Sequence, residues 1–406
     1  MANKYPRLKV FLVKILPLPI DKTNPEANSM TIKTHFLRIA YFIKRKFSAF
    51  KLSLGINLGI IKDVMITPYK GFGNEKEVYI LGRVIKDRGI QSAELTDSRW
   101  HNFKMMYKRF MTWKIPHAHV KAHFAGDIQM VPTDEEGYFE FRLRPRDEMD
   151  KNDAWQTVKL ELIDEVVPRT HKVLADGMVF VPESAAEFGV ISDIDDTIVP
   201  TGATRIWAML KVTFLNNALS RLPFPGIAAF YEALRVGKEK NGQNPFFYVS
   251  SSPWNIYDFL SEFLQVHQIP NGPLMLRDIG LSREQFIAGS HSLHKLKQIE
   301  HIFEVFQDIQ FILIGDSGQE DPEIYLQVIK DYPGRVKRIY IRNVSTDVRE
   351  KKVLGIADEM RTLGVELVLV KDTYEAAEDA VLQGYIAVSS LPLISEQVAE
   401  ALEEIN

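Results

Sequence analysis

The chain has 406 residues, 46% of them hydrophobic and 25% charged, the balance of a folded protein too long for a single hydrophobic core. It contains no cysteine, which excludes a disulfide framework, a thiolate zinc site and a cysteine nucleophile. The net charge of −3 hides a division: residues 1–54 carry eleven Lys or Arg against Asp21 and Glu26, and a basic end on an acidic body points to an anionic surface as partner.

Residues 1–62 read as a basic N-terminal segment. Pro17, Pro19 and Pro25 break its opening into extended pieces. No apolar run reaches the roughly 20 residues of a membrane-spanning helix. Val10–Ile20 is interrupted by Lys14, Pro17 and Pro19, lacks a small-residue cleavage site, and is not an export signal. A cytoplasmic location, peripheral on the membrane, is therefore expected. From Thr31 to Phe50 the pattern is helical, with Ile32, Phe36, Ile39, Ile43, Phe47 and Phe50 on one face. Two readings of this helix stand: it packs on the body of the protein, or it lies on an anionic membrane surface.

Residues 63–184 change to short alternating runs. Val78–Val84, His119–Phe124, Tyr138–Leu143 and Val158–Leu162 predict strands, and Asp134-Glu135-Glu136-Gly137 a turn, together a small β-sandwich-like domain. His117, His119 and His123 lack an accompanying carboxylate cluster and are read as surface and cross-strand residues.

Residues 185–406 alternate between apolar runs and helical patterns. Strands are predicted at Val190–Ile191, Phe246–Val249, Phe311–Ile314, Arg338–Ile341 and Val365–Val370. Helices are predicted at Pro225–Arg235, Ile256–Val266, His294–Phe306 and Thr373–Leu382. Continuous apolar strands with helical crossovers predict an α/β domain whose mostly parallel sheet is covered on both faces. Its first strand runs into Asp193, Asp195 and Asp196, followed by Thr197. Three acids at a strand tip need a cation, and ligands of open α/β sheets bind outside the carboxyl ends of the strands. That placement suggests Mg²⁺ and phosphate. Ser250, Ser251 and Ser252 follow the second strand, where hydroxyls ahead of a helix can donate to phosphate oxygens. Phe311–Ile314 runs into Gly315-Asp316-Ser317-Gly318-Gln319-Glu320-Asp321.

The string Asp193-Ile194-Asp195-Asp196-Thr197 resembles the first motif of the haloacid-dehalogenase-like (HAD) phosphatases. With the downstream motifs, the chain resembles the catalytic domain of the Mg²⁺-dependent phosphatidate phosphatases of the actin-patch-protein type. Pro68–Gly73, Leu222–Gly226, Pro273–Asp278 and Ile339–Arg342 extend the likeness over most of residues 65–370. The resemblance implies a HAD-like, Rossmann-type catalytic domain that hydrolyses phosphatidate to diacylglycerol and phosphate. It makes Asp193 the nucleophile of an aspartyl-phosphate route and Asp195 the general acid and base. Ser250 matches the second motif. Lys295 is the choice for the third, bordering the buried face of its helix, while Lys297, some 200° round, is the runner-up. Asp316 and Asp321 match the fourth. Mg²⁺ would be held by Asp193, by Asp195 through its carbonyl, and by Asp316. Ser250, the Ile194 amide and Lys295 would hold phosphoryl oxygens. Asp196 would orient a neighbour, and Thr197 would hydrogen-bond the loop backbone.

No cap domain is inserted between the first two motifs. The apolar helical segment Ala203–Leu219 found there either packs on the sheet or dips into a membrane. The pattern departs from the family at Asn343, where an acid would be unsurprising, and in the basic N-terminal segment. Alternatives are a HAD phosphatase for another phosphomonoester, soluble or on a protein, and a non-catalytic phospholipid-binding module. The intact Asp193 and Asp195 argue against the module. Nucleic acid is not expected as a partner, because the basic residues lie in the N-terminal segment without interleaved aromatics.

Overall fold

The computed structural model describes residues 54–56, 58–87, 113–150, 153–182, 186–198, 223–239, 243–277 and 291–405. The helical patterns at Thr31–Phe50 and Ala203–Leu219 lie outside these residues, as does Asp278. Residues 48–406 form one compact unit, built on two sheets.

The first sheet comprises β1 (Val64–Pro68), β2 (Gly71–Gly73), β3 (Val78–Lys86), β4 (His119–Phe124), β5 (Asp127–Pro132), β6 (Tyr138–Leu143), β7 (Trp155–Leu162) and β8 (Val173–Phe180). Its order is β1-β3-β2-β8-β7-β4-β5, with β6 paired to β3. A sandwich predicts two separate sheets. Here one hydrogen-bonded path runs through seven strands with β6 branching from β3, and it is continuous because the short β2 pairs antiparallel with β3 and parallel with β8. Alternate side chains of β3, β4, β6 and β7, among them Ile80, Val120, Phe141 and Leu160, share one buried core. Gly71-Phe72-Gly73 is too short to show a strand period in the sequence, yet it forms β2. Gly71 is required in this strand, since a Cβ there would stand 2.0 Å from the Tyr79 carbonyl oxygen.

The second sheet comprises β9 (Gly189–Ser192), β10 (Phe246–Pro253), β11 (Leu274–Arg277), β12 (Phe311–Asp316), β13 (Val336–Arg342) and β14 (Leu367–Val370). It is parallel throughout, in the order β11-β10-β9-β12-β13-β14. Helices α1 (Ile227–Val236), α2 (Tyr257–Val266), α3 (His291–Val305), α4 (Asp321–Asp331), α5 (Asp347–Thr362), α6 (Thr373–Leu382) and α7 (Leu391–Ile405) accompany it. Two apolar cores, one on Phe230, Tyr248 and Phe263 and another on Phe247, Phe303 and Leu313, bury the two faces. That double burial is why β9 and β12 are apolar without alternation.

Phe72 of β2 joins the sheets. Its ring meets Phe247 edge-on at 5.7 Å and lies 5.1 Å from His301 of α3. Nearby, Tyr69 stacks on Trp254 at 4.4 Å. The strand order reverses between β9 and β12, which places the topological switch point beside the acids that follow β9.

Candidate active site

Asp193 leaves the tip of β9 with its amide donating to the Ile314 carbonyl of β12 at 2.9 Å. The Ser192 hydroxyl sits 2.7 Å from the Tyr231 hydroxyl of α1 and donates to the Asp193 carbonyl at 2.6 Å, which fixes the strand end. Asp196 takes a left-handed φ of 58°, a conformation aspartate tolerates better than most residues. The chain turns there.

One carboxylate oxygen each from Asp193, Asp316 and Asp321 lies within 4.8 Å of the others. All three residues are buried, at 1% exposure or less. Asp316 ends β12, and Asp321 opens α4, where the helix N-terminus favours an anion. Asp321 Oδ2 accepts from the Asp316 amide at 3.1 Å. Gly315 permits that approach, since a Cβ would lie 2.6 Å from the same oxygen.

Lys295, 3% exposed, reaches in from α3. Its Nζ is 3.0 Å from Asp193 Oδ1 and 2.5 Å from Asp321 Oδ1. Lys297 is exposed and instead lines a cavity of about 770 Å³ between the two sheets. The fold therefore brings Lys295, rather than Lys297, to the carboxylates.

Charge in this cluster is out of balance. Three carboxylates face one ammonium, a formal −2. Burial pushes the Asp193 carboxyl well above its ordinary range against the pull of Lys295, and Asp321, Asp195 and Asp316 push it further. Burial, then Asp321, raises Asp316 to about 7. Burial alone would lower the Lys295 ammonium, but Asp193 and Asp321 outweigh it and raise its pKa.

Asp195 is not one of these three clustered acids. Its Oδ2 accepts from Ser250 Oγ at 2.8 Å and Ser252 Oγ at 2.9 Å, while Ser250 Oγ also accepts the Ser252 amide at 2.9 Å. Ser250 is the serine that the motif pattern singles out. The second hydroxyl on Asp195 belongs to Ser252, and the run of three hydroxyls was the available signal. Thr197 differs from expectation. Its Oγ1 is buried with no hydrogen-bond partner among the described residues, and it faces a cavity of about 10 Å³ shared with Arg342.

Sequence reasoning missed Gln319. Its Nε2 donates to Asp195 O at 3.1 Å, Asp316 Oδ2 at 3.1 Å and Asp193 Oδ2 at 3.4 Å. Asp316 Oδ1 sets the loop, accepting the amides of Gly318 at 2.7 Å and Gln319 at 2.9 Å. Three oxygens from two stretches, the loop after β9 and the end of β12, thus converge on one point. They are hard donors around a negative site, and this donor set fits Mg²⁺.

Residues 188–343 match the family model described as phosphatidate phosphatase APP1, catalytic domain. That stretch is similar to the catalytic domain of the APP1-type phosphatidate phosphatases. It contains Asp193, Asp195, Ser250, Lys295, Asp316, Gln319 and Asp321, while the mixed sheet lies outside it. The phosphatidate phosphatase APP1 of Saccharomyces cerevisiae is 32% identical over 163 residues, covering 40% of this chain and 27% of the relative. An uncharacterized protein of Schizosaccharomyces pombe is 28% identical over 159 residues, 39% of this chain and 25% of its own. The chain thus spans about a quarter of the length of the curated relatives it matches. A carbohydrate acetylesterase structure from Xanthomonas citri aligns over 80% of this chain and 71% of its own, at 8% identity and a TM-score of 0.24, too low to bear on the fold.

Proposed function

We propose that this chain is a HAD-type, Mg²⁺-dependent phosphatidate phosphatase that releases diacylglycerol and inorganic phosphate through an aspartyl-phosphate on Asp193. The observation that carries the reading is the meeting of Asp193, Asp316, Asp321 and Lys295 at the switch point of the parallel sheet. The APP1-type match over the same residues supports the substrate class. The domain division assigns the mixed sheet to 63–184 and catalysis to 185–406.

Catalysis needs in-line positioning and charge neutralisation more than covalent help. An Asp193 oxygen attacks phosphorus, and the bond to the glycerol oxygen breaks. Asp195 gives that oxygen a proton. Asp195 then takes a proton from water, which attacks the aspartyl-phosphate and frees phosphate. Ser250 and Ser252 hold Asp195 Oδ2, which assigns proton transfer to Oδ1. Lys295 and the Ile194 amide neutralise phosphoryl oxygens as charge develops. Mg²⁺ would be held by Asp193, Asp316 and the Asp195 carbonyl, with Asp321 alongside. When bound, it neutralises the carboxylates and the phosphate.

Among the described residues no helix is long and apolar enough to cross a membrane. The enzyme would act peripherally on an anionic bilayer, the partner that the basic composition of residues 1–54 favours.

The test is phosphate and diacylglycerol release from phosphatidate vesicles, run beside soluble phosphomonoesters, with EDTA and with Mg²⁺ restored. EDTA-sensitive release from the vesicles is expected. Turnover of soluble esters alone rejects the lipid substrate. Vesicle binding without turnover of any ester would favour a binding module.

A further inference from the structure

Gln319 stands between the buried acids and solvent. Asp193, Asp316 and Asp321 are each no more than 1% exposed, whereas Gln319 is half-buried. Its Nε2 meets three acceptors, at 3.1, 3.1 and 3.4 Å, with only two N–H bonds to offer. The amide is also neutral, so it leaves the formal −2 of the cluster in place. A divalent cation at the same point would satisfy all three oxygens and cancel that charge.

The loop backbone is held independently of this side chain. Arg349 Nε donates to the Ser317 carbonyl at 2.8 Å and Arg349 Nη2 to the Gln319 carbonyl at 2.5 Å. The same guanidinium is bidentate on Glu323, at 2.5 and 2.8 Å. Rotation about the Gln319 side-chain bonds can therefore clear the convergence point without moving the loop.

We propose that Gln319 is a displaceable plug for the cation site. Its amide holds the three oxygens in position when no cation is there, and it must swing out before a divalent cation can bind. The idea rests on the Mg²⁺-dependent reading above. Gln319 is a positioning residue: it lowers cation affinity and raises the stability of the cation-free protein.

The experiment uses full-length protein cleared with EDTA and dialysed, titrated with MgCl₂ by calorimetry, with Tm measured before and after. Gln319→Met keeps side-chain length without the donor, and Gln319→Ala is the second variant. Loss of hydrogen bonds to charged acceptors is expected to lower the cation-free Tm of both variants. Both are expected to bind Mg²⁺ about tenfold more tightly than wild type, since no amide has to leave. Equal or weaker Mg²⁺ binding by variants that fold, with wild type still binding, overturns the plug and spares the metal reading. Variants that fail to fold even with Mg²⁺ also overturn it, by making Gln319 a structural residue. No Mg²⁺ binding by wild type removes the metal reading itself and the plug with it.

Discussion

At Asp193, the nucleophilic role proposed above and the stability of the fold pull in opposite directions. A nucleophile must be ionised, yet burial and three nearby carboxylates disfavour its charge. A carboxyl whose folded pKa is raised stabilises the fold at low pH and loses that contribution as pH rises through the folded value. Without cation, any charge on Asp193 is therefore a burden to the fold. Asp193→Asn should abolish phosphate release yet raise the cation-free Tm, a gain on the order of 1–2 kcal/mol. Lys295 keeps its 2.5 Å contact with Asp321 in that variant, so no buried cation is stranded. Lys295→Met should do the reverse and cost roughly 3–5 kcal/mol, because it leaves three buried carboxylates unpaired. Thermal denaturation in EDTA reads both, and equal shifts of one sign would contradict the charge argument. Asp193, Asp195 and Asp316 were legible in sequence because acids at apolar strand tips carry a signal by type and place. Gln319 carried none: its role comes from the turn that Asp316 Oδ1 imposes, and a glutamine after glycine says nothing of that.

Helix α3 serves both sheets. Lys295 points to the carboxylates, Ile299, Ile302 and Phe303 enter the core of the parallel sheet, and His301 packs against Phe72 and Tyr79 of the mixed sheet. The helix was legible from its apolar spacing. The partnership with β2 was not, because a three-residue strand between glycines has too few positions to show a period. His301 has no hydrogen-bond partner for Nε2 among the described residues. Burial, assisted by Arg142, depresses its pKa to about 4. The folded protein thus keeps His301 neutral where the unfolded chain takes up a proton. Stability is lost as pH falls from about 6.5 toward about 4. His301→Phe, which suits the aromatic surroundings, should recover part of that loss, roughly 1–2 kcal/mol after discounting for partial exposure. The Tm difference between variant and wild type should grow as pH drops from 7 to 4.5. A difference independent of pH would remove the protonation argument.

At the scale of the whole chain, charge separates along the sequence. The first 54 residues are strongly basic and the rest is acidic, while the match to the catalytic-domain model lies within 188–343. If the basic end holds the protein to an anionic bilayer, each residue near the surface contributes up to about 1 kcal/mol, attenuated over one Debye length. That length falls from about 10 Å at 0.1 M salt to about 3 Å at 1 M. The buried site is shielded from bulk ions and should respond far less. Raising NaCl from about 0.1 to about 1 M should therefore cut phosphate release from phosphatidate in anionic vesicles by tenfold or more. Release from phosphatidate dispersed in neutral detergent micelles should change by less than about twofold. Parallel loss in both systems would place the salt effect in the active site. Undiminished vesicle activity would mean that the basic segment serves something other than the lipid surface.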